Sequence, residues 1–184
     1  MPKSDVPVKP VARPPVQPCE LPPPALLRSC QQQGAYADCF VAEVDGIVSH
    51  AAFVEAFYTT GLFKAERAIL GLLAGRPSSD ADAQRLAAGA SDSFAAWRVE
   101  GRAADQILLA DFTGRTKSWL MCAPLQALDG QARTSLYFGS AVVPRRSKAG
   151  AREMGAAFHA LLGFHRLYSR LLLGSARRQL SRVL

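Results

Sequence analysis

Residues 104–124, ADQILLADFTGRTKSWLMCAP, carry the pattern that decides the fold. Two runs rich in aliphatic and β-branched side chains, Gln106–Phe112 and Arg115–Cys122, flank Thr113-Gly114, which reads as a hairpin turn. A third run, Thr134–Val143, follows Asp129-Gly130, the strongest short hairpin signal in the chain. Three antiparallel strands in a meander are expected, with the rest of the chain wrapped around them.

If each turn holds two residues, the register follows. One face then carries Leu108, Phe112, Trp119, Met121, Leu136, Phe138 and Val142. The other carries Ile107, Leu109, Leu120, Cys122, Tyr137, Gly139, Ala141 and Val143. Both faces are apolar over much of their area, whereas a sheet with one solvated face alternates apolar with polar. Both therefore need cover. A terminal helix can cover one; the other calls for the N-terminal helices, a second copy in a homodimer, or a ligand.

Outward from the meander, Tyr36–Val44 and Phe94–Glu100 read as two further strands. Between them lie three helices. Ser49 caps one through Tyr58, and Thr60 opens one over Leu62–Ala74 that Gly75 and Pro77 stop. Ser79 with Asp82 resembles a capping box for a third, ending at Gly89. Glu66 lies among the apolar residues of the second helix and is expected at the stripe's edge beside Lys64 or Arg67, because carboxylates are seldom buried unpaired. Residues 150–184 are expected to be helical, with Phe158, Leu161, His165, Tyr168 and Leu172 on one stripe and Gly163 as a bend or break. The order is β-α-α-α-β-β-β-β-α, an α+β class with about five strands.

Nine of the twelve prolines fall within residues 1–24, a composition that supports neither ladders nor helix interiors. Residues 1–28 are expected to be a disordered Pro-rich tail, and residues 29–184 a single domain. Pro7-Val-Lys-Pro10 and Pro15-Val-Gln-Pro18 fit the P-x-x-P docking pattern, which recurs in any proline-rich run. Cys19, Cys30, Cys39 and Cys122 form no C-x-x-C pair, no signal-peptide core is visible, and no apolar run reaches the ~18 residues of a membrane span. A cytoplasmic protein with reduced thiols is expected.

The net charge of +7 sits at one end: from Arg145 onward nine Lys/Arg face a single acid, Glu153. The basic terminal helix, through Arg166, Arg170, Arg177 and Arg178, is a candidate contact for an anionic membrane surface or an acidic protein. No recognised nucleic-acid module interleaves these charges with stacking aromatics. The chain has no G-x-S-x-G elbow, phosphate loop or H-E-x-x-H, and its three histidines lack ligand spacing, so neither metal nor cofactor is expected.

Tyr36-Ala-Asp-Cys-Phe40 before an amphipathic helix, Gln106-Ile-Leu-Leu-Ala-Asp111 within the meander, and Phe164-His165-Arg166 in the basic terminal helix resemble an uncharacterised bacterial domain-of-unknown-function family. That family is allied to the polyketide-cyclase and START-like helix-grip proteins, and the resemblance spans about residues 20–182. It implies a curved antiparallel sheet gripping a long C-terminal helix, with a hydrophobic cavity between. The count of five strands departs from the six or seven of helix-grip folds.

The functional expectation is a binder of a small apolar or amphipathic molecule, catalysis not being required. Trp97, Trp119, Met121, Phe138 and Tyr168 would line the site, and Asp111, Arg115 or His165 would contact a polar group. Two rivals stand beside it. One is a cyclase or isomerase using His165 or Asp111 as base, and the other is an interaction module using the basic helix. Packing alone also explains large buried side chains, each worth about 1.5–3 kcal/mol.

Overall fold

A computed structural model describes residues 14–75, 77–126, 130–146, 152–153 and 156–183, with backbone alone for residues 70–74, 126, 145–146, 152–153 and 156–162. The chain is α+β, built on an open antiparallel sheet of seven strands and a C-terminal helix. The strands are β1 (Gln17–Pro18), β2 (Tyr36–Asp45), β3 (Ser93–Phe94), β4 (Trp97–Ala103), β5 (Gln106–Asp111), β6 (Thr116–Gln126) and β7 (Ala132–Val142). They lie in the order β1-β2-β7-β6-β5-β4-β3. A separate two-stranded ribbon pairs β8 (Arg145–Arg146) with β9 (Arg152–Glu153). The helices are α1 (Arg28–Gln32), α2 (His50–Tyr58), α3 (Gly61–Ala74), α4 (Asp80–Ala87) and α5 (Ala156–Leu180).

The expected five strands become seven because β1 and β3 are two-residue edge strands, too short to leave a period-2 signature. The local helix signals hold. The Ser49 and Thr60 side chains accept from Ala52 N and Phe63 N, Ser79 and Asp82 close a reciprocal capping box, and Gly75 ends α3 at φ 62°. The C-terminal helix differs from expectation. It begins at Ala156, after β9, and runs unbroken through Gly163. At 25 residues it is about 37 Å long. The eleven-residue strands β6 and β7 span about 36 Å, so a straight helix fits along the sheet without a break. The expected stripe members Phe158 and Leu161 fall among the side chains outside the described set.

The first hairpin keeps the expected register, with Leu108 opposite Trp119 and Leu109 opposite Ser118. Its Asp111 carboxylate accepts from the backbone N–H of Arg115 (2.8 Å) and Thr116 (3.2 Å), and Gly114 turns the chain at φ 71°. The second hairpin does not. Gln126 pairs with Ala132 and Trp119 with Gly139, so the loop holds an odd number of residues and β7 slips by one. A one-residue slip moves every side chain of a strand to the other face. Leu136 and Phe138 therefore lie opposite to Trp119 and Met121 rather than beside them, while Tyr137, Gly139 and Ala141 join the tryptophan.

Two cores result. On the helix face, Phe40, Val44, Ile107, Leu109, Leu120, Leu136 and Phe138 pack against α2, α4 and α5 through residues such as Phe53, Phe57, Leu86 and Leu173. On the outer face, Leu108, Trp119, Met121 and Ala141 pack against Leu21, Ala25, Leu27 and Ala35. The cover of that face thus comes from a stretch that proline content assigns to a tail. Residues 1–13, with Pro7-Val-Lys-Pro10, lie outside the described residues, but residues 14–28 belong to the fold. Val16 enters the helix-side core, Gln17 and Pro18 pair with Val41 and Phe40, and Leu27 is fully buried. Proline is admissible here because an edge strand needs no ladder donor on its outer side. Gly139 allows the close approach. A Cβ there would stand 2.8 Å from Leu27 Cδ2 and 3.0 Å from a ring carbon of Trp119.

Candidate functional site

The period-2 alternation of the strands places two different rows side by side on the helix face. Phe40, Phe138, Leu120 and Ile107 are register partners across β2, β7, β6 and β5, and form an apolar row. One pleat further along, Asp38 stands opposite Ser140, and Ser140 opposite Ser118, a polar row under the same helices. Over this boundary α5 projects His165, Tyr168, Ser169 and Leu172, whose spacing of three, four and seven puts them on one helix face. Glu66 of α3 and Trp97 of β4 close the sides. Between them lies a cavity of about 150 Å³ with Phe57, Phe63 and Phe138 on its apolar wall.

The hydrogen bonds around it fix donor and acceptor roles. Ser140 Oγ donates to Asp38 Oδ1 at 2.7 Å and meets His165 Nε2 at 2.6 Å. With the serine proton committed to the carboxylate, His165 supplies the proton of the second bond, which assigns the proton to Nε2. A nucleophilic serine needs the reverse order, with the imidazole accepting the hydroxyl proton and the carboxylate behind the imidazole. The Asp–Ser–His sequence of contacts is therefore a holding network, not an acyl-transfer triad. Tyr58, fully buried, bonds Ser118 through its hydroxyl at 3.1 Å, and burial pushes its phenol up.

Glu66 accepts from the Tyr168 hydroxyl. Burial pushes the Glu66 carboxyl above its ordinary range, against the opposing effect of the tyrosine bond. Burial, and next the Glu66 hydrogen bond, push the Tyr168 phenol up. The expected partners of Glu66, Lys64 and Arg67, go instead to Asp80 at 2.5 and 2.7 Å. Three buried polar atoms at this site have no hydrogen-bond partner: Trp97 Nε1, Ser169 Oγ and Asp38 Oδ2. The first two belong to residues that line the cavity. The third lies behind Ser140, 3.8 Å from His165 Nε2.

Of the residues singled out from sequence, Trp97, Phe138, His165 and Tyr168 meet at this cavity. Trp119 and Met121 do not; the slip in β7 leaves them on the outer face, where Trp119 Nε1 donates to Gln106 Oε1 at 2.8 Å. Asp111 serves its own turn, accepting from Thr113 Oγ1 as well as from the two backbone amides. Arg115, at the same turn, is not part of the cavity wall. Ser118, which sequence groups with Asp111, Arg115 and Lys117 as a polar set at the first turn, also lines the cavity, whereas Asp38, Ser140 and Ser169 are not singled out by sequence and Glu66 is expected only at a stripe's edge. A signal for Asp38 was present in YADCF, where an acid takes an inward position of an otherwise apolar strand.

A larger groove of about 800 Å³ lies on the other side, bordered by Cys30, Gln33, Glu100, Lys117 and Val143. Its buried lysine is already satisfied, because Lys117 Nζ bonds both Glu100 oxygens at 2.6 Å. Along α5, Arg177 donates to Pro14 O at 2.7 Å, Arg170 to Val16 O at 3.4 Å, and Arg178 to Ser175 Oγ at 3.1 Å. Part of the basic end thus fastens the N-terminal segment. Among the described residues, no cluster of three or more His, Cys, Asp or Glu could hold a metal, and no helix is long and apolar enough to cross a membrane. No family model, no curated protein and no solved structure matches this chain.

Proposed function

We propose that this protein binds a small amphipathic molecule in the cavity between the sheet and α5, without transforming it, and that it does so in the cytoplasm. The observation that carries this reading is the pairing of empty space with unpartnered polar atoms. Trp97 and Ser169, whose Nε1 and Oγ are buried without partners, line the same 150 Å³ volume as three phenylalanine rings. A buried donor left unpaired costs about 1–3 kcal/mol, so a guest that accepts from Trp97 while covering the rings recovers that loss. A cavity of this volume suits a guest of about six to eight non-hydrogen atoms, since a dry space of similar size takes benzene. A long terminal helix lying along an antiparallel sheet supports the helix-grip relationship as part of the same proposal. The reading also favours binding over acid–base chemistry at the residues first considered. Asp111 lies at a turn, and His165 is engaged by Ser140.

The two tryptophans supply the test, because only one borders the cavity. Phenol and benzyl alcohol are titrated at millimolar concentration into uniformly 15N-labelled protein while both indole N–H signals are followed. The Trp97 signal should shift and saturate while the Trp119 signal, tied to Gln106, stays in place. No saturable shift at Trp97, or parallel drift of both signals, ends the reading.

A further inference from the structure

Cys19 and Cys39 are twenty residues apart in sequence and belong to no thiol motif, yet the edge pairing brings them face to face. Gln17 and Pro18 sit opposite Val41 and Phe40, which puts Cys19 opposite Cys39, and the Cys19 N–H donates to Cys39 O at 3.0 Å. Their sulfurs are 3.3 Å apart. Directly opposed residues in an antiparallel pair have Cα atoms about 4.5–5.5 Å apart, inside the about 4.4–6.8 Å that a disulfide spans. A surface hollow of about 280 Å³, bounded by Cys19, Leu21, Arg28, Gln31 and Cys39, gives a small reagent access to the pair. Neither of the other two cysteines has a sulfur partner among the described residues; Cys122 is buried on the opposite face.

We propose that Cys19 and Cys39 form a reversible disulfide that staples the N-terminal segment across the edge of the sheet. The bond adds to the arginine and Gln106 contacts that already hold the segment. Its ladder with β2 is two residues long, yet it carries Val16 into one core and leads Leu21, Ala25 and Leu27 into the other. The oxidant is a low-molecular-weight disulfide, RSSR. The Cys19 thiolate attacks one of its sulfurs and expels RS⁻, giving a mixed disulfide. Cys39 then loses its proton, and its sulfur attacks Cys19 Sγ and expels the second thiolate. The protein dithiol is oxidised by two electrons and RSSR is reduced to two RSH, with atoms balanced. The division of labour suits the two sites. Cys19 is half-buried, and the hydrogen bond with Cys39 holds its thiol below the ordinary value; the same bond, and then burial, push Cys39 up.

The test treats full-length protein with excess oxidised glutathione, digests it without reduction and maps thiols by mass spectrometry. The expected result is one Cys19–Cys39 linked peptide pair, a loss of two hydrogens per chain, and a thermal midpoint raised by roughly 5 to 10 °C that dithiothreitol reverses. Cys30→Ser should keep the link and Cys19→Ser should abolish it. Separate glutathione adducts, a link through Cys30 or Cys122, or thiols left free in excess oxidant would each overturn the proposal. The map of the unsubstituted protein decides the matter even where Cys19→Ser fails to fold. Loss of ligand binding at the helix-side cavity would leave this proposal untouched, since the two rest on different faces.

Discussion

The two tryptophans of this chain sit in two kinds of interior. Trp119, on the outer face, is fully buried, and its N–H ends on Gln106, whose amide in turn accepts from Leu26 N and donates to Pro24 O. Trp97, on the helix face, borders open volume with its N–H unpartnered. The first network ties a proline-rich segment to the sheet and leaves no work for a ligand. The second leaves a cavity and polar capacity that stability alone does not account for. A large aromatic in a strand is thus equally compatible with structural and binding roles, and the accounting of its one polar atom separates them.

The outer face should be the more sensitive of the two. Leu27→Ala removes a fully buried side chain that touches the Gly139 backbone, and is expected to cost about 2–5 kcal/mol in urea unfolding. A cost under about 0.5 kcal/mol would return residues 14–28 to the status of a tail and dissolve the contrast between the faces.

The comparison sharpens with the tryptophans themselves. Trp119→Phe deletes the bond to Gln106 and leaves space in a dry core, so it should destabilise by about 1–3 kcal/mol. Trp97→Phe deletes a donor that has no partner beside a cavity that already exists, so it should fall within about 0.5 kcal/mol of neutral. Equal costs measured by the same denaturation curves would mean that the two interiors do not differ as described.

These contrasts mark what the sequence made legible. Helix boundaries were readable because Ser49, Thr60, Gly75 and the Ser79/Asp82 box act within four residues. The first hairpin was readable because its turn sets its own register. The second was not, since an odd loop and an even one share Asp129-Gly130, and the difference of one residue decides which face Phe138 joins. The covering segment was hidden for another reason. Proline content reports what backbone ladders a stretch cannot make, and says nothing of Leu21 or Leu27 docking as side chains. At the site, His165 and Tyr168 were findable from the apolar stripe of the terminal helix, whereas the expected register put Phe138 beside Trp119 on the face away from the cavity. The row Asp38–Ser140–Ser118 depends on which strands are neighbours, and no window along the chain contains that.

The smallest effect concerns Glu66, and its sign is diagnostic. Its carboxyl titrates above the ordinary value of 4.5 in the folded protein, mainly through burial. Between those two values the folded state binds more protons than the unfolded one, so stability falls as pH rises through the window and levels off once the folded-state carboxyl is ionised. Glu66→Gln keeps an acceptor for Tyr168 and removes the titration. The variant should match the parent below about pH 4.5, gain on it steadily as pH rises, and hold a constant advantage beyond. Urea midpoints measured across that range check this. A difference independent of pH, or one that favours the parent at neutral pH, would show that Glu66 is solvated rather than held against the cavity, and would remove the acid from the polar rim that distinguishes the helix face.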